Sequence, residues 1–423
     1  MSRFVAETYQ NEFLPTGAGE VNAVVTVTAL GGDDGASTGA AAEIIIVDTS
    51  GSMVFPSAKL KAARVATGAA LDVIRNGTLF AVIAGSDTAT EVYPGTGGLV
   101  AASPQTRKAA KHAVAQLLAN GGTAIGSWLR LADDLFAAAP AGLRHAILLT
   151  DGQNQHETEE ELTRVLRDCE GHFQCDCRGV GTDWAVAELR RIASALLGSV
   201  DIIAEPSQME ADFRAMAEQA MSRGGGNVAL RLWSPTDSEV AFVKQVAPSI
   251  EDLTARATRA DAHTYDYPTG AWGVESRDYH LCIRVRARET GDEVLAGRLS
   301  LLLDGRPVSQ TLIRAVWTDD EQLSTRINPE VAHYTGQVEL AGAIQEGLEA
   351  RKAGDEATAT FKLGRAVQLA AAGGNDATMK LLKTVVDVDD AATGTVRLKR
   401  QVTEVDEMSL DTRSTKTVRV QRR

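Results

Sequence analysis

Three oxygen-bearing side chains stand at alternate positions in Asp48-Thr49-Ser50-Gly51-Ser52-Met53, directly after the run Ala42, Ile44, Ile45, Ile46, Val47, which Glu43 alone interrupts. One carboxylate and two hydroxyls on a single tight turn suit a hard divalent cation better than covalent chemistry. The run before them reads as a strand buried on both faces of a parallel sheet. The carboxyl end of such a strand is where open α/β sheets bind ligands. Two more oxygens join from further along the chain. Thr123 follows Asn120-Gly121-Gly122, and Asp151 follows Ile147-Leu148-Leu149-Thr150, a second buried-strand pattern broken by Gly152. A single Ser or Asp in such a place commonly caps or turns the backbone. Five of them in order, each at a strand end or a glycine turn, exceed what turn-making requires. Aspartyl-phosphate chemistry would need a second Asp two residues after Asp48, and that position is Ser50. No His or Glu falls inside the motif as a general base. The candidate metal ligands are therefore Asp48, Ser50, Ser52, Thr123 and Asp151, and no catalytic residue is assigned.

Together they read D-x-S-x-S … T … D, and the stretch from about Ala40 to Arg223 resembles the von Willebrand factor A (vWA) family with a complete metal-ion-dependent adhesion site. The resemblance implies Mg²⁺ as the cofactor, with Ca²⁺ or Mn²⁺ able to replace it in vitro. It implies that at least one of the two aspartates acts through water and that a coordination position stays open at the rim. Only Asp48 and Asp151 offset the cation's charge, so an Asp or Glu carboxylate from a partner protein would complete the shell. The expected function is a metal-dependent protein–protein interaction module, a scaffold or adaptor and not an enzyme, of the bacterial cytoplasmic type. For that type the resemblance points to forkhead-associated proteins, Ser/Thr kinases, PP2C-like phosphatases and AAA+ ATPases as partners. Two alternatives stand beside it: a non-catalytic subunit of an ATPase-driven, MoxR- or chelatase-like complex, and a zinc or redox sensor.

The sensor alternative rests on Cys169-x-x-His172-x-x-Cys175-x-Cys177, whose spacing could hold zinc. Core packing competes with it, because Cys175 and Cys177 fall on one face of an expected strand. Four cysteines are too few for a disulfide scaffold. A net charge of −13 argues against nucleic acid and anionic membranes as partners. No apolar run approaches the roughly 18–20 residues that span a bilayer. The N-terminal residues mix charged and polar groups, and a cytoplasmic location is expected.

A chain of 423 residues calls for two or three domains. Residues 40–223 alternate short apolar strands with helices, as a doubly wound, mostly parallel α/β sheet requires. Ser57 reads as the N-cap of the helix after the metal motif, and 79–84 with 90–93 as a hairpin at the sheet edge. Arg223-Gly224-Gly225-Gly226 marks a boundary. Residues 226–325 then alternate with period two, as in an antiparallel β-sandwich. The β-like residues 1–36, ending in the turn Gly31–Gly35, are expected to complete that sandwich, with the α/β domain inserted. A small helical bundle is expected over 328–390, with Val338, Ala341, Ile344 and Leu348 on one face and Phe361, Ala366 and Val367 continuing. A helix-turn-helix repeat is the rival reading there. Residues 391–423 carry few large apolar groups and read as a flexible basic tail. Its threonines Thr412, Thr415 and Thr417, beside Arg and Lys, are candidate phosphorylation sites for a forkhead-associated reader.

Overall fold

The computed structural model describes residues 3–30, 41–55, 58–139, 142–223 and 226–420; Ser57, the Gly31–Gly35 turn and the Gly224-Gly225 part of the boundary lie outside them. The chain divides into two compact units, one made of Asp34–Gly226 with Gly270–Gly273, the other of everything before and after. It begins with β1 (Arg3–Gln10), β2 (Phe13–Pro15) and β3 (Glu20–Leu30), which belong to the outer unit.

The inserted unit carries strands β4 (Ala41–Asp48), β5 (Leu79–Gly85), β6 (Ala89–Tyr93), β7 (Val100–Ala101), β8 (Leu143–Thr150), β9 (Gln174–Val180) and β10 (Val200–Ile203). They line up as β10-β9-β8-β4-β5-β6, and β7 also pairs with β5. β4, β5, β8, β9 and β10 run parallel, while β6 and β7 are antiparallel to β5. Among the described residues six α-helices accompany the sheet: α1 (Ala58–Val73), α2 (Pro104–Ala115), α3 (Ile125–Ala137), α4 (Glu159–Cys169), α5 (Val186–Ala195) and α6 (Met209–Ser222). Ile44 to Val47 are fully buried because both faces of β4 are covered. On one face Ile45 and Val47 join Ala63, Ala66 and Ala70 of α1 and Met216, Ala217 and Ala220 of α6 in one core, where small side chains let the helices approach closely. The chain leaves β4 for β5 on one side and reaches β8 on the other. The carboxyl end of β4 is thus a topological switch point, where the diverging loops leave a crevice.

In the outer unit come β11 (Val228–Trp233), β12 (Ser238–Ala247), β13 (Glu251–Asp252), β14 (Thr258–Arg259), β15 (Thr264–Gly270), β16 (Ser276–Val285), β17 (Glu293–Leu303) and β18 (Arg306–Thr318). They form two sheets, ordered β1-β3-β16-β12-β13 and β14-β15-β11-β17-β18-β2. The N-terminal strands enter both: β3 pairs antiparallel with β16, β1 with β3, and β2 runs parallel to β18. Asp304 and Gly305 turn β17 into β18 with φ of 49° and 76°, the geometry a two-residue hairpin needs.

The short α7 (Glu321–Ser324) leads to α8 (Pro329–Lys352), α9 (Glu356–Ala372) and α10 (Asp376–Val385), the last three capped by Asn328, Asp355 and Asn375. Ala341, Ile344 and Leu348 are buried as their spacing predicts, whereas Phe361 is 71% exposed and takes no part in the core. The tail departs from expectation. It forms a hairpin, β19 (Val386–Asp390) and β20 (Thr395–Leu398), then α11 (Glu404–Arg413). Val396 and Leu410 complete one core with Leu340, Ile344 and Leu348 of α8 and with Leu363, Val367 and Leu382. Residues 391–420 thus carry secondary structure, with Val396 and Leu410 buried in the helical core and Leu398 and Val402 packed against it. The threonines are not the exposed hydroxyls expected. Thr412 is buried, Thr415 is half-buried with its carbonyl accepting from Ile250 N at 2.8 Å, and Thr417 Oγ1 donates to Val246 O at 2.6 Å. His333 Nε2 donates to Val418 O at 2.7 Å and Arg419 pairs with Asp278 at 2.9 Å. A kinase would have to lift this strap from β12 first.

Candidate metal centre

β4 delivers Asp48 as its last residue, and a short 3-10 turn over Gly51–Val54 follows. Asp48 is held from two sides: Ser50 N donates to Oδ1 at 2.7 Å and Thr150 Oγ1 to Oδ2 at 2.5 Å. Ser50 Oγ lies 2.9 Å from Ser52 Oγ, which donates to Asp151 Oδ1 at 2.6 Å. The Thr123 loop is pinned to the same turn, since Asn120 N donates to Thr49 O at 2.8 Å and Gly51 N to Gly121 O at 2.9 Å. Gly121 has φ +75°, and a β-carbon there would also meet Asp87 Oδ1 at 2.4 Å, so only glycine closes this contact. A β-carbon at Gly152 would sit 3.1 Å from Thr123 Oγ1 and 3.5 Å from Ser52 Oγ, so these two hydroxyls face the same gap. All five predicted side chains thus gather at the β4–β8 crevice. Asp48, Ser50, Thr123 and Asp151 are buried and Ser52 is exposed, so the oxygens open to solvent on the Ser52 side. An oxygen-only set of two carboxylates and three hydroxyls fits a hard dication and no soft one.

The supports are less visible in sequence. Helix α3 starts at Ala124 with no side-chain cap of its own. Its first free N–H groups are taken instead by the loop after Asp151: Ile125 N donates to Asn154 Oδ1 at 2.9 Å and Gly126 N to Glu157 Oε2 at 2.7 Å. Thr123 N donates to His156 Nδ1 at 3.2 Å, and Trp128 Nε1 to Ser86 O at 2.7 Å. Three loops are so locked into one rim. The sequence does not announce these roles of Asn154, His156 and Glu157, because the groups they bond belong to another part of the chain.

Burial pushes the Asp48 carboxyl up to about 6, against the hydrogen bonds from Ser50 and Thr150, and the charge of Asp151 adds to the rise. Lys59 answers that charge. Its Nζ lies 2.7 Å from Asp151 Oδ2 and 3.3 Å from Asp183 Oδ2, with 8% of the side chain exposed. Burial opposes the ammonium, but Asp151 and Asp183 outweigh it and raise the Lys59 pKa. Lys59 is not legible as part of the site in sequence, because a charged residue in the first turn of a helix reads as solvated.

The cysteine set does not assemble. Cys169 ends α4 with Sγ 4.0 Å from Leu129 O, His172 turns its ring to Asp133 at 2.9 Å, and Cys175 and Cys177 lie side by side in β9 with sulfurs 4.0 Å apart. The three cysteines are buried, unbridged thiols, and His172 is exposed. Burial pushes the Cys169 thiol up to about 12, and the Cys177 hydrogen bond, then burial, raises Cys175. Among the described residues no three His, Cys, Asp or Glu side chains are grouped to hold a metal. The strand's period of two places Cys175 and Cys177 on one buried face, while Cys169 ends α4 and His172 lies in the exposed turn after it.

A solved von Willebrand factor type A structure from Catenulispora acidiphila is 48% identical to this chain, covers 99% of it and 98% of itself, and superposes with a TM-score of 0.95. The chain belongs to the von Willebrand factor type A family. The model of the von Willebrand factor type A domain matches residues 42–202 of this vWA chain, which hold all five candidate ligands. That of the von Willebrand factor type A C-terminal domain matches residues 368–414, through the hairpin and α11. The ArnB paralog VWA2 from Sulfolobus acidocaldarius, 15% identical over 96% of this chain and 97% of its own, has a TM-score of 0.55. Human COPII-coat protein Sec24c, 10% identical over 89% and 57%, reaches 0.53; these two show the shared fold alone. No curated protein is significantly similar to the chain. Proteins with vWA domains often mediate metal-dependent protein interactions. None of the described helices is long and apolar enough to cross a membrane.

Proposed function

We propose that this vWA chain is a metal-dependent protein-interaction module whose Asp48, Ser50, Ser52, Thr123 and Asp151 hold Mg²⁺ as a complete adhesion site. The observation that carries the reading is the hydrogen-bonded row Ser50 Oγ, Ser52 Oγ, Asp151 Oδ1, with Thr123 Oγ1 and Ser52 Oγ facing the same gap beside Gly152. When bound, the ion supplies a Lewis-acidic position for a carboxylate. The chain's own part is to orient three neutral hydroxyls and two carboxylates, and to leave the Ser52 side open. Three of five donors are uncharged, so an Asp or Glu of a partner protein is the natural last ligand. Turnover is not part of the proposal. The imidazole beside the site, His156, is engaged by Thr123 N and serves to position that loop.

The test is a pull-down from the native host, with Mg²⁺ or EDTA, using wild type, Asp48→Ala and Ser50→Ala. Partners retained by wild type in Mg²⁺ and lost by both variants support the reading. Partners that bind all three equally overturn it. The ATPase-linked alternative uses the same site and differs only in the partner, so recovery of an AAA+ ATPase in the Mg²⁺ arm favours it. A bacterial cytoplasmic setting belongs to the same proposal; the four free cysteines suit a reducing compartment.

A further inference from the structure

Lys59 stands outside the D-x-S-x-S … T … D pattern yet touches one of its members. It is a lysine with 8% of its side chain exposed, and its Nζ lies 2.7 Å from the outer oxygen of a candidate metal ligand, Asp151. The other oxygen of Asp151 accepts from Ser52 at 2.6 Å, so this carboxylate is shared between the metal-facing hydroxyls and an ammonium. Buried lysines keep their charge only where a carboxylate stands beside them. Lys59 has two: Asp183 Oδ2 is 3.3 Å away, on the loop between β9 and α5, and its side chain is 68% exposed. The ammonium therefore sits between a buried carboxylate that a dication would also seek and a solvated one at the surface.

Resting on the metal reading above, we propose that Lys59 competes with the divalent cation for Asp151 and is handed over to Asp183 when the cation binds. Two positive charges cannot both draw fully on one carboxylate in a water-poor crevice. Asp183 is already within reach, so the transfer requires only a rotation of the lysine tip. Lys59 thus weakens metal binding and keeps it reversible. Through the Lys59–Asp183 pair it also couples occupancy of the site to the loop between β9 and α5.

The test is calorimetric titration of Mg²⁺ into the EDTA-treated, dialysed full chain. Lys59→Met and Lys59→Gln are expected to tighten Mg²⁺ binding at least about tenfold, since each removes the competing charge while Gln keeps a hydrogen-bond donor for Asp151. Asp183→Asn is expected to weaken binding in the wild-type background and to change it less than about twofold when Lys59 is Met, as a residue acting through Lys59 must. Equal weakening by Asp183→Asn in both backgrounds overturns the handover. Unchanged or weaker binding by both Lys59 variants, with native circular dichroism, overturns the competition. Binding of Mg²⁺ by none of the proteins, Asp48→Ala included, overturns the metal reading and this inference together. Wild-type binding lost in Asp48→Ala but unmoved by the Lys59 variants overturns this inference alone.

Discussion

A test of the core beneath the site centres on His145, which is replaced by Phe. In the inserted unit, Glu43 of β4, His145 of β8 and Asp176 of β9 lie across three adjacent strands and all are buried. His145 Nδ1 is 2.8 Å from Glu43 and Nε2 is 2.9 Å from Asp176, which also accepts from Ser199 N at 2.7 Å and pairs with Arg223 at 3.2 Å. Burial works against the imidazolium, but the charge of Glu43 and the bonds to Asp176 and Glu43 overcome it and push His145 up from 6.5 to about 9. Burial likewise lifts Glu43 against His145's pull, and it opposes the charge on Asp176, which Arg223, His145 and Arg178 nonetheless hold well below the usual carboxylate range. A shift from 6.5 to about 9 corresponds to roughly 3 kcal/mol of stability. The folded pKa is the raised one, so this stability is fully present below pH 6.5 and is lost as pH rises through about 9. Removing one partner of a buried ion pair costs about 3–5 kcal/mol, of the same order. His145→Phe should therefore lower Tm by roughly 10 °C near pH 6.5 in scanning calorimetry of the full chain. The decline of wild-type Tm between pH 6.5 and 9 should flatten in the variant. Pairing it with Glu43→Leu should recover much of the loss, because no unpartnered carboxylate then faces the Phe. A loss under about 1 kcal/mol, or a pH slope that survives the substitution, refutes the charged-triad account.

Leu410→Ala, in the segment expected to be flexible, should cost about 2–5 kcal/mol in urea unfolding, because Leu410 is fully buried in the α8–α10 core; an unmoved midpoint would restore the flexible tail. Gly152→Ala should weaken Mg²⁺ binding roughly tenfold with little change in Tm, since its β-carbon would stand 3.1 Å from Thr123 Oγ1; unchanged affinity in a calorimetric titration counts against the shared gap. His280, bonded to Asn22 Oδ1 at 3.0 Å and set against Lys244 and Phe242, is pushed down from 6.5 to about 4 by burial and then by Lys244. Its neutral form is the folded one, so stability is full above pH 6.5 and falls by on the order of 3 kcal/mol as pH drops through about 4; His280→Gln should remove that acid slope from a Tm–pH profile.

What the sequence determined by itself is the local part of this protein. A doubly buried strand must stop where Asp48 and Asp151 stand, and Gly121 and Gly152 make turns that neighbouring residues dictate. The candidate ligands were legible because they stand at a strand end or on a turn or glycine loop whose local pattern is continuous in the chain. The period-two alternation of residues 226–325 announced a sandwich for the same reason, and the N-terminal residues were assigned to it by their β-like composition. Tertiary structure alone decided which groups meet across elements. Lys59 faces Asp151, Asn154 and Glu157 cap a helix that precedes them in the chain, and His145 bridges two carboxylates on adjacent strands. It also ordered the tail, where Val396 and Leu410 find a core built by α8, α9 and α10. Periodicity states which face of an element is apolar. It carries no information on which distant charge will lie opposite a polar residue, and the burial of a polar group is decided by that partner.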